Sequence, residues 1–159
     1  MIWAVIPAAG SGMRSGSDIP KQYRPLLGKP MIEYSLDILA QHPDIDGIIL
    51  ALAPDDARWQ HISQWFNTPL RTCLGGMRRS DSVLAAIEAL DDVVHNDTWL
   101  LVHDAARPCL RFEDLNRLIE AACVHPVGGL LAGPMKDTVK RGDADHQVEG
   151  TLDRSALWR

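Results

Sequence analysis

Apolar residues along this chain arrive in short, dense runs: residues 2–6 (IWAVI), 47–53 (GIILALA), 70–74 (LRTCL), 98–103 (TWLLVH) and 128–132 (GGLLA). Runs this short and this continuous predict strands buried on both faces. Between them the apolar positions fall back to helical spacing. Pro30 predicts a helix start, with Met31, Tyr34, Leu36, Ile38 and Leu39 on one face. Pro54-Asp55-Asp56 predicts a second, carrying Trp59, Ile62, Trp65 and Phe66. Residues 82–90 and 112–124 predict two more. Strands alternating with helices predict an α/β fold: a mostly parallel sheet with helices on both faces.

After Pro134 the pattern changes. Residues 135–141 (MKDTVKR) and 147–154 (QVEGTLDR) alternate polar and apolar positions around the turn Gly142-Asp143-Ala144-Asp145. This predicts a β-hairpin. A lone hairpin is marginal in water, so it is expected to pack on something, a second subunit being the natural choice. The expected organisation is an α/β domain over 1–134, a β-hairpin arm over 135–156, and at 157–159 the start of a further segment. The stop at Leu157-Trp158-Arg159, without a terminal helix, leads us to expect a C-terminally incomplete chain.

Bulk properties narrow the function classes. A length of 159 residues with 46% hydrophobic and 23% charged suits an ordinary globular core. Net charge is −5, which argues against nucleic acid as a partner. No apolar run reaches membrane-spanning length, and the start MIWAVIPAAG lacks a basic leader region, so a cytoplasmic protein with no membrane partner is expected. Cys73, Cys109 and Cys123 have no metal-ligand spacing, and their odd number argues against a disulfide framework.

The candidate chemistry begins where the first strand ends. Pro7 opens PAAGSGMRSGSDIPK, a glycine-rich loop with Gly10, Gly12 and Gly16, carrying Arg14 and ending at Lys21. Glycines bring backbone N–H groups close to an anion, and the two cations add charge where a polyphosphate would lie. The loop fits neither the Walker spacing nor the dinucleotide fingerprint. An ordinary strand-to-helix turn is the competing reading of the glycines alone.

Two further segments follow strands. Gly75-Gly76-Met77-Arg78-Arg79-Ser80-Asp81-Ser82 leads into a helix. Ser80, Asp81 or Ser82 is a candidate cap, Gly76 and Ser82 are candidate nucleotide contacts, and Arg78 and Arg79 read as solvated. His103-Asp104-Ala105-Ala106-Arg107-Pro108 ends the fourth strand. Asp104 suits Mg²⁺ or a sugar hydroxyl and Arg107 suits a phosphate, with a local Asp104–Arg107 ion pair as the compatible structural role. His103 reads as structural. In parallel sheets ligands lie beyond the carboxyl ends of the strands, so all three segments are expected on one rim.

Taken in order, PAAGSGMRSG with PKQY, GG-x-x-R-x-x-S-V over 75–83, VHDAARP over 102–108, DTVK over 137–140 and LDRSALW over 152–158 resemble the 2-C-methyl-D-erythritol 4-phosphate cytidylyltransferase family. The resemblance spans essentially the whole chain. It implies a Rossmann-like nucleotide-binding domain over 1–134 and a homodimer through interlocked hairpin arms over 135–156, with CTP and a polyol phosphate as substrates, Mg²⁺ as cofactor, and a CDP-alcohol and pyrophosphate as products. It implies that Ala8, Ala9, Gly10, Gly76 and Ser82 surround the cytidine, that Gly12 belongs to the same binding loop, and that Arg14 and Lys21 hold the triphosphate. Asp104 and Arg107 would lie near ribose, metal and acceptor, and Thr138 and Arg154 would reach the acceptor phosphate in the neighbouring subunit. Arg14, Lys21, Asp104 and Arg154 are the catalytic candidates. Similar sequences often carry acidic residues at Met77 and Arg78, and they continue for roughly a third of their length beyond this end point. Two rivals stand beside this reading: a cytidylyltransferase for another polyol phosphate, such as ribitol 5-phosphate, and a non-catalytic nucleotide-binding fragment.

Overall fold

The computed structural model describes residues 1–10, 19–62 and 67–159. The chain divides into two compact units, Met1–Leu115 and Asn116–Arg159.

In the first unit, strand β1 (Ile2–Pro7) is followed by a 3-10 turn at Lys21–Tyr23, the two short strands β2 (Pro25–Leu26) and β3 (Lys29–Pro30), and helix α1 (Met31–Ala40). Then come β4 (Gly47–Leu52), a 3-10 turn at Trp59–His61, β5 (Leu70–Leu74), helix α2 (Arg79–Glu88), β6 (Trp99–Val102) and the start of helix α3 (Phe112–Ala122). The main sheet has the order β5-β4-β1-β6, and every pairing in it is parallel. Val5, Ile6, Ile48, Ile49, Leu50 and Ala51 are fully buried, which is why these strands read as unbroken apolar runs.

The sheet is closed on both faces. Trp3, Val5, Ile49 and Ala51 cluster with Ala86 and Leu90, the latter just past the end of α2. The alternate residues Ala4, Ile6, Ile48 and Leu50 point to the opposite face. The chain leaves β1 toward β4 on one side and later returns from β5 to β6 on the other. Right-handed crossovers running in opposite directions place α1 and α2 on opposite faces, as expected. Ile32, Leu36 and Leu39 of α1 are fully buried. The strand order reverses between β1 and β6, which creates the crevice where parallel α/β sheets bind ligands.

Two expected elements take other forms. The helix after Pro54 is replaced, among the described residues, by the 3-10 turn at Trp59–His61. Asp55 adopts φ +56°, a left-handed conformation that stops a helix at its first turn, and the Asp56 carboxylate is engaged by Tyr23. The remainder of that expected helix, including Trp65 and Phe66, lies outside the described residues. Helix α2 begins three residues earlier than the expected 82–90. Arg78 is its N-cap residue, and Asp81 in the first turn accepts from the Arg78 N–H at 3.2 Å.

In the second unit the expected apolar strand over 128–132 does not form. Gly128 sits at φ +101°, and Leu130 and Leu131 are exposed. A strand exists only through a ladder partner, and none among the described residues pairs with this stretch. The backbone pairs just beyond it: Gly133 and Arg159 exchange two hydrogen bonds of 2.8 Å, and Met135 N–H donates to Leu157 at 2.9 Å. The expected hairpin is present but shorter, as antiparallel β7 (Lys140–Gly142) and β8 (Val148–Thr151). The Asp143 carboxylate closes its turn by accepting from the N–H groups of Asp145 and Gln147 at 2.9 and 2.8 Å. No helix among the described residues is long and apolar enough to cross a membrane.

Candidate active site

The three segments singled out in the sequence meet at the carboxyl rim of the sheet. Ala8 N–H donates to Ala51 at 2.8 Å, which extends the β1–β4 pairing one step past the end of β1. Gly75 N–H donates to Leu52 at 2.8 Å and extends β5 in the same way. His103 N–H donates to Val5 at 3.0 Å and holds the end of β6 beside β1. Residues 8–10, 75–76 and 104–107 are thereby carried to one edge by adjacent strands.

Contact between the segments depends on a glycine. A Cβ built on Gly75 would lie 2.5 Å from the Ala9 Cβ and 2.9 Å from the Ser82 Oγ, so only glycine admits this approach. Gly75, the neighbour of the candidate contact Gly76, is the residue that meets the first loop. Gly76 is confined by α2: its Cβ would lie 2.4 Å from that of Asp81. Ser82 is buried, accepts from the Gly76 N–H at 3.1 Å and sits 3.3 Å from the Gly76 and Arg78 carbonyls. Its hydroxyl fixes the glycine turn.

Asp104 is the electrostatic centre of the rim. One oxygen accepts from Arg79 Nε at 2.7 Å and the other from Arg107 Nε at 2.9 Å. The local Asp104–Arg107 pair was anticipated. The Arg79 contact was not, and it replaces the reading of Arg79 as merely solvated. It crosses 25 positions and joins the first turn of α2 to the end of β6, so no local pattern could have announced it. Arg78 is also paired, with Asp81 at 3.0 Å, and that guanidinium holds the Asp81 carboxyl below its ordinary range. His103 is structural: its Nε2 lies 3.1 Å from the Arg107 carbonyl, and burial lowers its pKa.

The PKQY segment supplies the other wall. Lys21 is exposed and opens the 3-10 turn, whereas the next two residues, Gln22 and Tyr23, are buried. Gln22 Nε2 donates to the Ala8 carbonyl at 2.7 Å and to that of Gly10 at 3.3 Å. The Tyr23 hydroxyl donates to Asp56 at 2.7 Å. Desolvation, reinforced by that carboxylate, raises the Tyr23 pKa far above the usual phenol range, so it remains a donor. Sequence reasoning used Lys21 and passed over both neighbours.

Gly12 and Arg14 lie outside the described residues. Thr138 and Arg154 belong to the second unit. Thr138 is exposed, and Arg154 donates from Nη1 to the Lys136 carbonyl. Among the described residues no cluster of three or more His, Cys, Asp or Glu side chains is arranged to hold a metal.

This rim offers glycine turns, exposed backbone and one carboxylate flanked by arginines, the equipment for holding a nucleotide and its phosphates. Comparison with known proteins identifies the family. The sequence profile of the family described as IspD, 2-C-methyl-D-erythritol 4-phosphate cytidylyltransferase, matches residues 2–159. The enzyme of that name from Xylella fastidiosa (strain 9a5c) is 51% identical over 158 residues, 99% of this chain and 68% of the relative. That from Xanthomonas campestris pv. campestris (strain B100) is 49% identical over 99% of this chain and 60% of the relative. The crystal structure of the Francisella tularensis enzyme superposes with a TM-score of 0.79 at 34% identity, covering 99% of this chain and 68% of that one. A crystal structure of 4-diphosphocytidyl-2C-methyl-D-erythritol synthase reaches 0.83 at 35% identity, over 99% and 70%. Ordered motifs, parallel sheet and convergent rim lead to one conclusion: the chain belongs to the 2-C-methyl-D-erythritol 4-phosphate cytidylyltransferase family of nucleotidyltransferases.

Proposed function

We propose that this protein joins CTP to 2-C-methyl-D-erythritol 4-phosphate, giving the CDP-alcohol and pyrophosphate. The observation that carries the reading is the meeting of Ala9, Gly75 and Ser82 at one point of the rim, beside the Arg79–Asp104–Arg107 cluster. In this reading Ala8, Ala9, Gly10, Gly12, Gly76 and Ser82 enclose the cytidine. A loop whose backbone carbonyls accept from the cytosine amino group rejects uracil, which lacks that donor. The exposed Met77 is compatible with base choice by backbone rather than by side chain.

The acceptor's phosphate oxygen attacks the α-phosphorus of CTP in line, the bond from the α-phosphorus to its bridging oxygen breaks, and pyrophosphate leaves with the electron pair. A phosphate monoester is already anionic at neutral pH, so no general base is required. Lys21 and Arg14 hold the triphosphate and stabilise the charge that builds on it. Asp104 and Arg107 orient the ribose side, and Thr138 and Arg154 receive the acceptor phosphate from the neighbouring subunit of a homodimer built through the 135–156 arm. We place the enzyme in the cytoplasm.

A magnesium ion suits this donor set in one mode. Such ions commonly take one or two carboxylates and complete their shell with phosphate oxygens and water. Asp104 supplies one carboxylate, now balanced by two guanidinium groups that a triphosphate can take over. When bound there, the ion neutralises charge across the phosphate oxygens.

Pyrophosphate release from CTP, measured across a panel of polyol phosphates, tests the reading. Methylerythritol phosphate is expected to be the preferred acceptor. Preference for ribitol 5-phosphate would reassign the substrate, and CTP binding without release in the intact protein would leave a nucleotide-binding module.

A further inference from the structure

Gln22 is a buried side-chain amide at the heart of the nucleotide wall, with no part in the chemistry above. Its Nε2 donates to two backbone carbonyls of the first loop, Ala8 at 2.7 Å and Gly10 at 3.3 Å. Ala8 is already fixed on its other side, because its N–H donates to Ala51 of β4.

A peptide unit is planar and trans, so a carbonyl and the following N–H point in opposite directions. Fastening the Ala8 carbonyl to Gln22 therefore turns the Ala9 N–H the other way. Ala9 is the residue that abuts Gly75 on the rim. From this geometry we infer that Gln22 is a positioning residue: it sets the Ala8–Ala9 peptide so that the Ala9 N–H faces the bound nucleotide, and through its neighbour Lys21 it registers the cation against the same ligand. The inference rests on the nucleotide site proposed above and adds the residue that pre-orders it.

The scaffold around Gln22 suits this role. Tyr23 is anchored to Asp56, and the Tyr23 N–H donates to Pro20 at 2.9 Å, so the turn bearing Lys21 and Gln22 is held at both ends. A donor positioned before the ligand arrives costs no reorganisation on binding.

The test compares the intact protein with Gln22→Met and Gln22→Glu. Methionine keeps the volume and removes the donors. Glutamate keeps the shape and presents an acceptor to two carbonyls. Titration calorimetry with CTP is expected to show binding weakened about tenfold in Gln22→Met, the size of one lost hydrogen bond to a charged group, and more in Gln22→Glu. In steady-state assays the KM for CTP should rise while that for the polyol phosphate stays put, a split that loose packing would not produce. In the unmodified protein, amide NMR should show the Ala9 resonance shifting on titration with CTP. Folded variants that bind CTP like the unmodified protein, or an Ala9 amide indifferent to bound CTP, overturn the assignment of Gln22 alone. Failure of the unmodified protein to bind CTP at all overturns the nucleotide site, and this inference with it.

Discussion

Arg79 and Asp104 are joined by a 2.7 Å hydrogen bond from guanidinium Nε to carboxylate oxygen, linking the first turn of α2 to the end of β6. Arg107 engages the second oxygen from within the same loop. A carboxylate held from two directions has its orientation set before a ligand arrives.

Arg79→Ala should loosen that carboxylate without unfolding the protein, since the Arg79 side chain is 59% exposed and such surface pairs contribute little to stability. Turnover with CTP is expected to fall about tenfold, toward the lower end for lost positioning contacts. Steady-state kinetics beside a thermal melt checks this, and a large drop in melting temperature with unchanged kcat would contradict it.

Lys21→Ala should leave the fold intact, because the side chain is exposed on the 3-10 turn. Losing a donor that meets charge developing in the transition state costs ~3–4 kcal/mol, or ~10²–10³ in rate. CTP affinity should change far less than turnover. Equal turnover in the two proteins would remove Lys21 from the reaction.

Gly75→Ala places a methyl group where Ala9 Cβ and Ser82 Oγ already sit. Neither neighbour is the far end of a flexible side chain, so the rim must open. A destabilisation of about 1–3 kcal/mol is expected, with weaker CTP binding. Chemical denaturation and calorimetry would show both together.

Tyr23→Phe removes the hydrogen bond to Asp56 and should cost about 1–2 kcal/mol. It should also change the alkaline limb of stability. The folded state raises the Tyr23 pKa above the ordinary phenol value of about 10, so the unfolded chain releases this proton first. The Tyr23 contribution is complete below pH 10 and declines as pH rises through and beyond that value. Denaturation curves at increasing alkaline pH should fall less steeply for the variant.

Ser35→Ala should stabilise the protein. The Ser35 Oγ is buried in α1 and has no hydrogen-bond partner among the described residues. An unsatisfied buried hydroxyl costs about 1–3 kcal/mol, and alanine is also the better helix former. A higher denaturation midpoint is the expected reading.

Much of this architecture was legible from hydrophobic pattern. Ile2, Ile48, Leu70 and Trp99 each begin or lie in runs that became parallel strands. The runs of Ile2 and Ile48 were the plainest, because a strand buried on both faces leaves no polar position to confuse the period. The run containing Leu130 and Leu131 has the same composition but no ladder partner among the described residues, and composition cannot supply one. The helix expected after Pro54 had good spacing, yet Asp55 took a left-handed backbone and Asp56 was claimed by Tyr23. In the site, glycines and cations announced the loops. What escaped were contacts with no local signature: Arg79 reaching 25 positions to Asp104, and Gln22 reaching back to backbone atoms, which sequence never names.

The chain divides after Leu115, and the residues proposed for the nucleotide and for the acceptor phosphate fall on either side of that boundary. Every proposed nucleotide contact, from Ala8 to Arg107, is encoded upstream of that boundary, and Thr138 and Arg154 downstream. Drift in the downstream stretch can alter which alcohol is accepted while leaving cytidine recognition inherited unchanged. A chimera exchanging residues 116–159 with those of a paralogue of different acceptor preference would carry the preference with the transplanted part.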